Sequence, residues 1–236
     1  MRKRSLLGLG MLFCLILGMV AWGILHIEQV QPVFSVQGEE QPVVILDPGH
    51  GGIDGGAEAN NLIEKDINLA IALNLRDFLS VQGFRVIMTR EDDRSIHDQG
   101  ITQISRQKRS DMYNRLAIIE DHPEAIFVSI HQNKFEQASV CGAQVFYSQN
   151  HPDSQQLAQQ IQTSFASLLQ PDNTREIKPA ENNLFLLYEA TVPAVMVECG
   201  FLSNAQEAAN LSDPDYQRKV AFVVGQALCR FVAGEE

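Results

Sequence analysis

Two histidines and two glutamates stand where side chains of their type do chemistry. His50 lies in Asp47-Pro-Gly-His50-Gly-Gly, His131 in Ile130-His131-Gln-Asn133 and Glu198 in Val197-Glu198-Cys-Gly-Phe, each directly after a short apolar run. Glu64 opens a stretch with helical periodicity. Two histidines and one carboxylate form a ligand set for catalytic zinc, which takes three protein ligands and keeps a fourth position for water. The metal lowers the pKa of that water toward neutrality and polarises a carbonyl. A carboxylate outside the ligand set then takes the water's proton and passes it to a leaving nitrogen. Two histidines and two glutamates fill these roles with none left over.

Each of the four has a rival reading. His50 could simply close its glycine-rich turn, and Asn61 three residues before Glu64 could make a capping box with it. His131, at the end of an apolar strand, could be a satisfied buried histidine. Glu198 is hardest to dismiss, because an unpaired carboxylate after Pro193-Ala-Val-Met-Val would cost several kcal/mol to bury. His26, His97, His122 and His151 lie in polar or turn contexts and read as solvated. The glycines after Pro48 do not make a nucleotide loop: Asp54 stands where the third glycine is needed, and no Gly-Lys-Ser/Thr occurs.

The elements that must position these groups alternate along the chain. Short apolar runs at 43–46, 84–89, 125–130, 143–147 and 194–197 read as strands. Helical periodicity covers 64–82 (Ile67, Ile71, Leu75, Phe78, stopped by Gly83) and 106–120 (Met112, Leu116, Ile119). It returns over 153–169 (Leu157, Ile161, Phe165, Leu168) and 215–232 (Val220, Val223, Ala227, Phe231). This alternation predicts one α/β domain over residues 42–236, a twisted, mainly parallel sheet flanked by helices. Ligands of such sheets bind at the carboxyl ends of the strands. His50, His131 and Glu198 follow three of those ends and Glu64 starts a helix on the same edge, so all four converge on one rim.

Composition bounds the alternatives. The 236 residues are 45% hydrophobic and 20% charged, enough for a packed core and too apolar for a disordered chain. The net charge is −11; residues 1–30 contribute +2 (Arg2, Lys3, Arg4 against Glu28), leaving −13 on residues 31–236. A body that acidic has no footprint for a phosphate backbone, which argues against nucleic-acid binding. Cys141, Cys199 and Cys229 show no paired metal spacing. Met1-Arg-Lys-Arg precedes an uncharged apolar run over residues 5–25. Its length matches a bilayer core, and the basic residues before it set the amino terminus inside. Residues 1–26 are therefore expected to be a membrane anchor, with a signal segment cleaved near Ala21-Trp-Gly23 as the weaker alternative. Residues 27–41 read as a polar linker, and the domain that follows as extracytoplasmic.

Five motifs then carry a resemblance. Val44-Ile-Leu-Asp-Pro-Gly-His50-Gly-Gly, Glu64-Lys-Asp, Met88-Thr-Arg90, Val128-Ser-Ile-His131-Gln-Asn133 and Val197-Glu198-Cys-Gly-Phe-Leu-Ser-Asn204 occur in this order. Together they resemble the zinc-dependent N-acetylmuramoyl-L-alanine amidases over about residues 42–233. Chain size, the amino-terminal anchor, the bare catalytic domain and the segment Ser105-Arg-Gln-Lys-Arg-Ser-Asp-Met-Tyr-Asn-Arg115 resemble the subgroup that works on spore cortex for germination. The resemblance implies zinc on His50, Glu64 and His131, with Glu198 as the catalytic carboxylate. It implies cleavage of the amide between the muramic acid lactyl group and L-alanine in peptidoglycan. In the cortex subgroup that cleavage frees muramic acid for lactam formation by a separate deacetylase, at the forespore membrane facing the cortex.

Asn133, Arg90 and Arg115 match positions of the family pattern and are assigned to substrate binding, with ion pairs to the sheet edge as the alternative for both arginines. Two positions depart from the pattern: Lys134 replaces a small residue near the cleft rim, and Cys199 stands where Val or Ala is common. The stretch between Tyr147 and Leu184 is too short for the inhibitory helix of the division amidases, so no self-block is expected. A monomer is expected, and the need for an accessory activator protein is left open. Two other functions compete: a membrane-tethered, catalytically silent peptidoglycan-binding or scaffold module, and a zinc peptidase that cuts stem peptides.

Overall fold

The computed structural model describes residues 41–235. The expected anchor over 1–26, and all of the linker except Gln41, lie outside the described residues. Among the described residues no helix is long and apolar enough to cross a membrane.

Among the described residues eight strands and six helices follow one another. They are β1 (Val43–Pro48), β2 (Glu58–Ala59), β3 (Leu62–Ile63), α1 (Glu64–Val81), β4 (Arg85–Met88), α2 (Ile104–Glu120) and β5 (Ile126–Asn133). The second half holds β6 (Gln144–Tyr147), α3 (Asp153–Leu168), β7 (Lys178–Pro179), α4 (Phe185–Glu189), β8 (Ala194–Phe201), α5 (Ala205–Ser212) and α6 (Pro214–Val232). Six strands form one sheet in the order β4-β1-β5-β8-β6-β7, and β2 and β3 form a separate hairpin.

The sheet is mixed. β4, β1, β5 and β8 run parallel, whereas β6 pairs antiparallel with β8 and carries β7 parallel to itself. The reason lies in the connection from β5 to β6. Residues 134–143 contain no helix, and a parallel return needs a crossover of about a dozen residues or more, usually helical. The chain therefore turns back at the same end of the sheet, and β6 points the other way.

Alternation along the strands sorts side chains onto two faces. Val44, Leu46, Val128, Ile130, Val195 and Val197 pack under α1, α3 and α6 through Ile71, Leu75, Leu157, Phe165, Val220 and Val224. Val43, Ile45, Phe127 and Met196 point to the other face and meet Leu116 and Ile119 of α2 and Leu186 and Leu187 of α4. The sheet is thus covered on both sides, and its edge at the carboxyl ends of β1, β5 and β8 stays open.

Two strands run further than their apolar runs suggest. β5 continues to Asn133 and β8 to Phe201, so His131 and Glu198 are strand residues and lie directly opposite each other in the β5–β8 register. The pairing shifts by a bulge between His131 and Asn133, a local kink that re-aims side chains at the strand's end.

Candidate active site

Glu64 is the centre of the site. It is the first residue of α1 and only 3% exposed. Its Oε1 lies 2.8 Å from His131 Nδ1 and accepts the Gln132 N–H and the Asn68 Nδ2 at 3.1 and 3.2 Å. Its Oε2 lies 3.3 Å from His50 Nε2 and accepts the Ala57 N–H at 2.7 Å. The capping reading is overturned: Ile63 holds the N-cap position without a side-chain bond. Asn61 instead forms, with Asn60, the two-residue turn between β2 and β3. Both have positive φ, 60° and 49°, as a tight hairpin turn requires and asparagine tolerates. Burial works to raise the Glu64 carboxyl, but hydrogen bonds and charge from the two histidines hold it well below the usual carboxylate range.

The rings of His50 and His131 meet edge to face, centroids 5.0 Å apart. One ligand atom from each of His50, Glu64 and His131 falls within 4.8 Å of the others. Two imidazoles and a carboxylate at these separations fit a divalent metal such as zinc. The backbone leaves room for this group and for little else. A Cβ on Gly49 would lie 2.1 Å from His131 Nε2, and one on Gly56 only 2.5 Å from Glu64 Oε2. Gly56 also sits at φ +72°, where side chains are strained.

Asp54 belongs to the same cluster, a role that sequence reasoning missed. Its Oδ2 lies 3.0 Å from His50 Nδ1, and its Oδ1 accepts from Lys108 Nζ at 2.7 Å. A carboxylate on one imidazole nitrogen fixes the tautomer and leaves the other nitrogen for a metal. The sequence signal was a carboxylate four residues after a histidine in a glycine-rich turn, closed here by a bridge between Gly51 and Asp54. Burial works to lower the His50 pKa, but hydrogen bonds to Asp54 and Glu64 outweigh it and raise it to about 9.

Arg90 and Arg115, expected at the substrate, brace the loop from inside, and Arg115 also lines the cleft. They are 1% and 2% exposed. Arg90 gives Nε to Pro48 O (2.9 Å), Nη2 to Gly49 O and Lys65 O (3.1 and 2.8 Å) and Nη1 to Asp92 O (3.0 Å). Arg115 gives Nη2 to His50 O at 2.8 Å and Nη1 to Pro48 O at 3.1 Å. It is also ion-paired with Asp111 and, through a short contact, with Asp47 at the sheet edge. The loop needs such bracing because His50, a residue with a Cβ, is held at φ 64°. Two guanidinium groups pin three successive carbonyls around it.

Asn133 is not among the residues lining the cleft. Its Oδ1 accepts the following Lys134 N–H at 2.8 Å, which makes it a turn former. Lys134 reaches across to the carbonyl of Glu58 at 2.9 Å and ties the β2–β3 hairpin to the body. Cys199 is fully buried in the core.

Glu198 is half-buried and lines the cleft with His50 and His131. Its Oε2 is buried and has no hydrogen-bond partner among the described residues. Burial pushes its carboxyl up to about 7. The cleft has a volume of about 320 Å³; α2 contributes Lys108 and Met112 to its walls, and Phe185 of α4 and Met196 of β8 supply apolar surface.

An α/β sheet with a histidine–glutamate–histidine group and an unpartnered carboxylate at its carboxyl rim has the groups that a metal-assisted hydrolase would use. Residues 44–230 match the family model of the N-acetylmuramoyl-L-alanine amidases, and the chain belongs to that family. It is 38% identical over 189 residues to the germination-specific N-acetylmuramoyl-L-alanine amidase of Bacillus subtilis, covering 80% of this chain and 79% of that one. Among solved structures it is similar to the CwlD amidase from Clostridioides difficile, determined in complex with the GerS lipoprotein. The TM-score is 0.79 at 39% identity, covering 83% of this chain and 100% of that one. The catalytic domain of CwlV, an N-acetylmuramoyl-L-alanine amidase from Bacillus (Paenibacillus) polymyxa, aligns with a TM-score of 0.67 at 30% identity, over 82% of this chain and 99% of that one.

Proposed function

We propose that the protein hydrolyses the amide between the lactyl group of N-acetylmuramic acid and L-alanine in peptidoglycan, with zinc on His50, Glu64 and His131. The observation that carries this reading is the unpartnered Oε2 of Glu198, opposite His131 in the sheet and beside the three-residue ligand set. Bound zinc supplies a Lewis acid for the amide carbonyl and an acidified water. Glu198 takes a proton from the attacking water and delivers it to the departing alanine nitrogen. Burial works to raise this carboxyl, which favours its holding the proton between the two halves of that task. Asp54 keeps His50 in the tautomer that offers Nε2, and Arg90 and Arg115 hold the loop that presents it.

The identity to a germination-specific relative supports action on spore cortex, where the product is muramic acid free for lactam formation. In this reading residues 1–26 anchor the protein, 27–41 form a linker and 42–236 are an extracytoplasmic catalytic domain working as a monomer. A relative solved with a lipoprotein supports an accessory protein of that kind here as well.

The test is mass spectrometry of cortex fragments treated with the zinc-loaded protein. Free muramic acid ends and stem peptides beginning with L-alanine are expected. Stem peptides cut internally, with muramic acid still amidated, would favour the peptidase reading, and no product at all the binding module.

Metal uptake carries a second prediction. With its pKa raised to about 9, His50 of the metal-free protein is protonated at neutral pH. Zinc must displace that proton, so the apparent affinity rises with pH through neutrality and levels off above about 9. Calorimetry at pH 7 in two buffers of different ionisation enthalpy is expected to show net proton release. Binding heats independent of buffer would contradict the site.

A further inference from the structure

The outer turn of α2 has no task in the mechanism above. This helix turns one face to the cleft: Lys108, Asp111, Met112 and Arg115 all line it, at the spacing of one helical stripe. Asp111 and Arg115 are buried and paired with each other. Lys108 stands at the mouth, its side chain half exposed. One of its three ammonium donors goes to Asp54 Oδ1, which leaves two for a ligand. Beside it Arg109 is exposed, with its guanidinium 5.5 Å above the Tyr113 ring and no carboxylate partner among the described residues. Lys108 and Arg109 are thus two neighbouring cations near the cleft mouth of a body carrying −13 over residues 31–236.

We propose that Lys108, flanked by Arg109, is a carboxylate-binding subsite that holds an acidic group of the stem peptide while the scissile amide lies at His50, Glu64 and His131; this rests on the amidase reading. The stem peptide beyond L-alanine carries free carboxylates, and the ammonium of Lys108 is two hydrogen bonds from His50, through Asp54. A carboxylate at Lys108 therefore sits next to the metal ligands, within reach of a peptide whose first amide is being cut. The lysine acts as a compact point charge that can donate to a carboxylate lying in any of several directions. Arg109 adds to the field that draws the acidic peptide into an otherwise repulsive protein.

The rival role for Lys108 is structural, holding Asp54 against His50. Steady-state kinetics of the zinc-loaded protein separate the two, using muropeptides with free stem carboxylates and matched muropeptides with those groups amidated. For Lys108→Gln, KM on the carboxylate substrate is expected to rise about ten- to a hundredfold, the worth of one charge-assisted hydrogen bond. Its zinc content is expected to be retained, and its KM on the amidated substrate to rise far less than on the carboxylate substrate. Lys108→Arg should recover most of the lost affinity. Equal losses on both substrates, or loss of zinc, would show that Lys108 serves only Asp54 and would overturn the subsite. The wild type separates the two levels: cutting both substrates with the same KM sinks the subsite alone, whereas cutting neither sinks the amidase reading.

Discussion

Glu198→Gln is expected to retain fold and zinc and to lose turnover by about 10²–10⁴-fold, roughly 3–5 kcal/mol of barrier. The substitution keeps the shape of the side chain and removes a carboxyl whose Oε2 is buried without a partner. Stability should hold or rise slightly, because no ion pair is broken and a poorly solvated charge disappears. What is lost is the group that takes the water's proton and gives one to the alanine nitrogen. Glu64→Gln supplies the contrast. Glu64 faces both histidines, at 3.3 and 2.8 Å, and a neutral amide is a poor zinc ligand, so this variant is expected to lose metal and activity together. The measurement is zinc content beside rate for both proteins. If Glu198→Gln lost zinc while Glu64→Gln kept it, the two glutamates would have exchanged roles.

Arg115→Met should destabilise the protein by about 3–5 kcal/mol at neutral pH, the usual cost of leaving a buried charge without its partner. The orphan is Asp47, 1% exposed. Burial works to raise its carboxyl, but Arg115 and the hydroxyls of Ser129 and Thr89 hold it below the ordinary carboxylate value. In the wild type the stability from this lowered pKa is therefore present above the ordinary carboxylate range and is lost as the pH falls through the folded value. In the variant burial acts unopposed by the guanidinium, and Asp47 takes up its proton at a higher pH. The difference between the two proteins should consequently shrink as the solution is acidified toward pH ~4. Urea unfolding of the metal-free proteins at several pH values reads this directly. A loss below about 1 kcal/mol that does not change with pH would place Arg115 among ordinary surface pairs. The loop carbonyls that Arg115 holds include that of His50, so weaker zinc binding should accompany the loss of stability.

Much of this architecture was legible in the chain. The helices expected at 64–82, 106–120, 153–169 and 215–232 appear as Glu64–Val81, Ile104–Glu120, Asp153–Leu168 and Pro214–Val232. Each spans several turns and buries one stripe, so its period is visible without knowing what it packs on. Elements too short to show a period were missed: the β2–β3 hairpin, β7, α4 and α5. For α5 a signal was available, since Asn204 followed three residues later by Glu207 is a cap pattern. The Asn204 side chain does accept the N–H groups of Gln206 and Glu207.

The convergence of His50, His131 and Glu198 on one rim, with Glu64 opening a helix at the same edge, followed from their places after strand ends, because the carboxyl ends of parallel strands share a rim. Which polar group each side chain meets did not follow. Glu64 could equally have capped its helix, and Arg90 could have reached outward to the cleft instead of inward to the loop carbonyls. The pairings that decide these questions join residues far apart in the chain: Glu64 with His131 at a separation of 67, Arg115 with Asp47 at 68, Lys108 with Asp54 at 54. Burial leaves a periodic trace in sequence because water sits on one side of each element. A hydrogen-bond partner leaves none, because it is chosen by which loops the packed sheet brings within about 3 Å of one another.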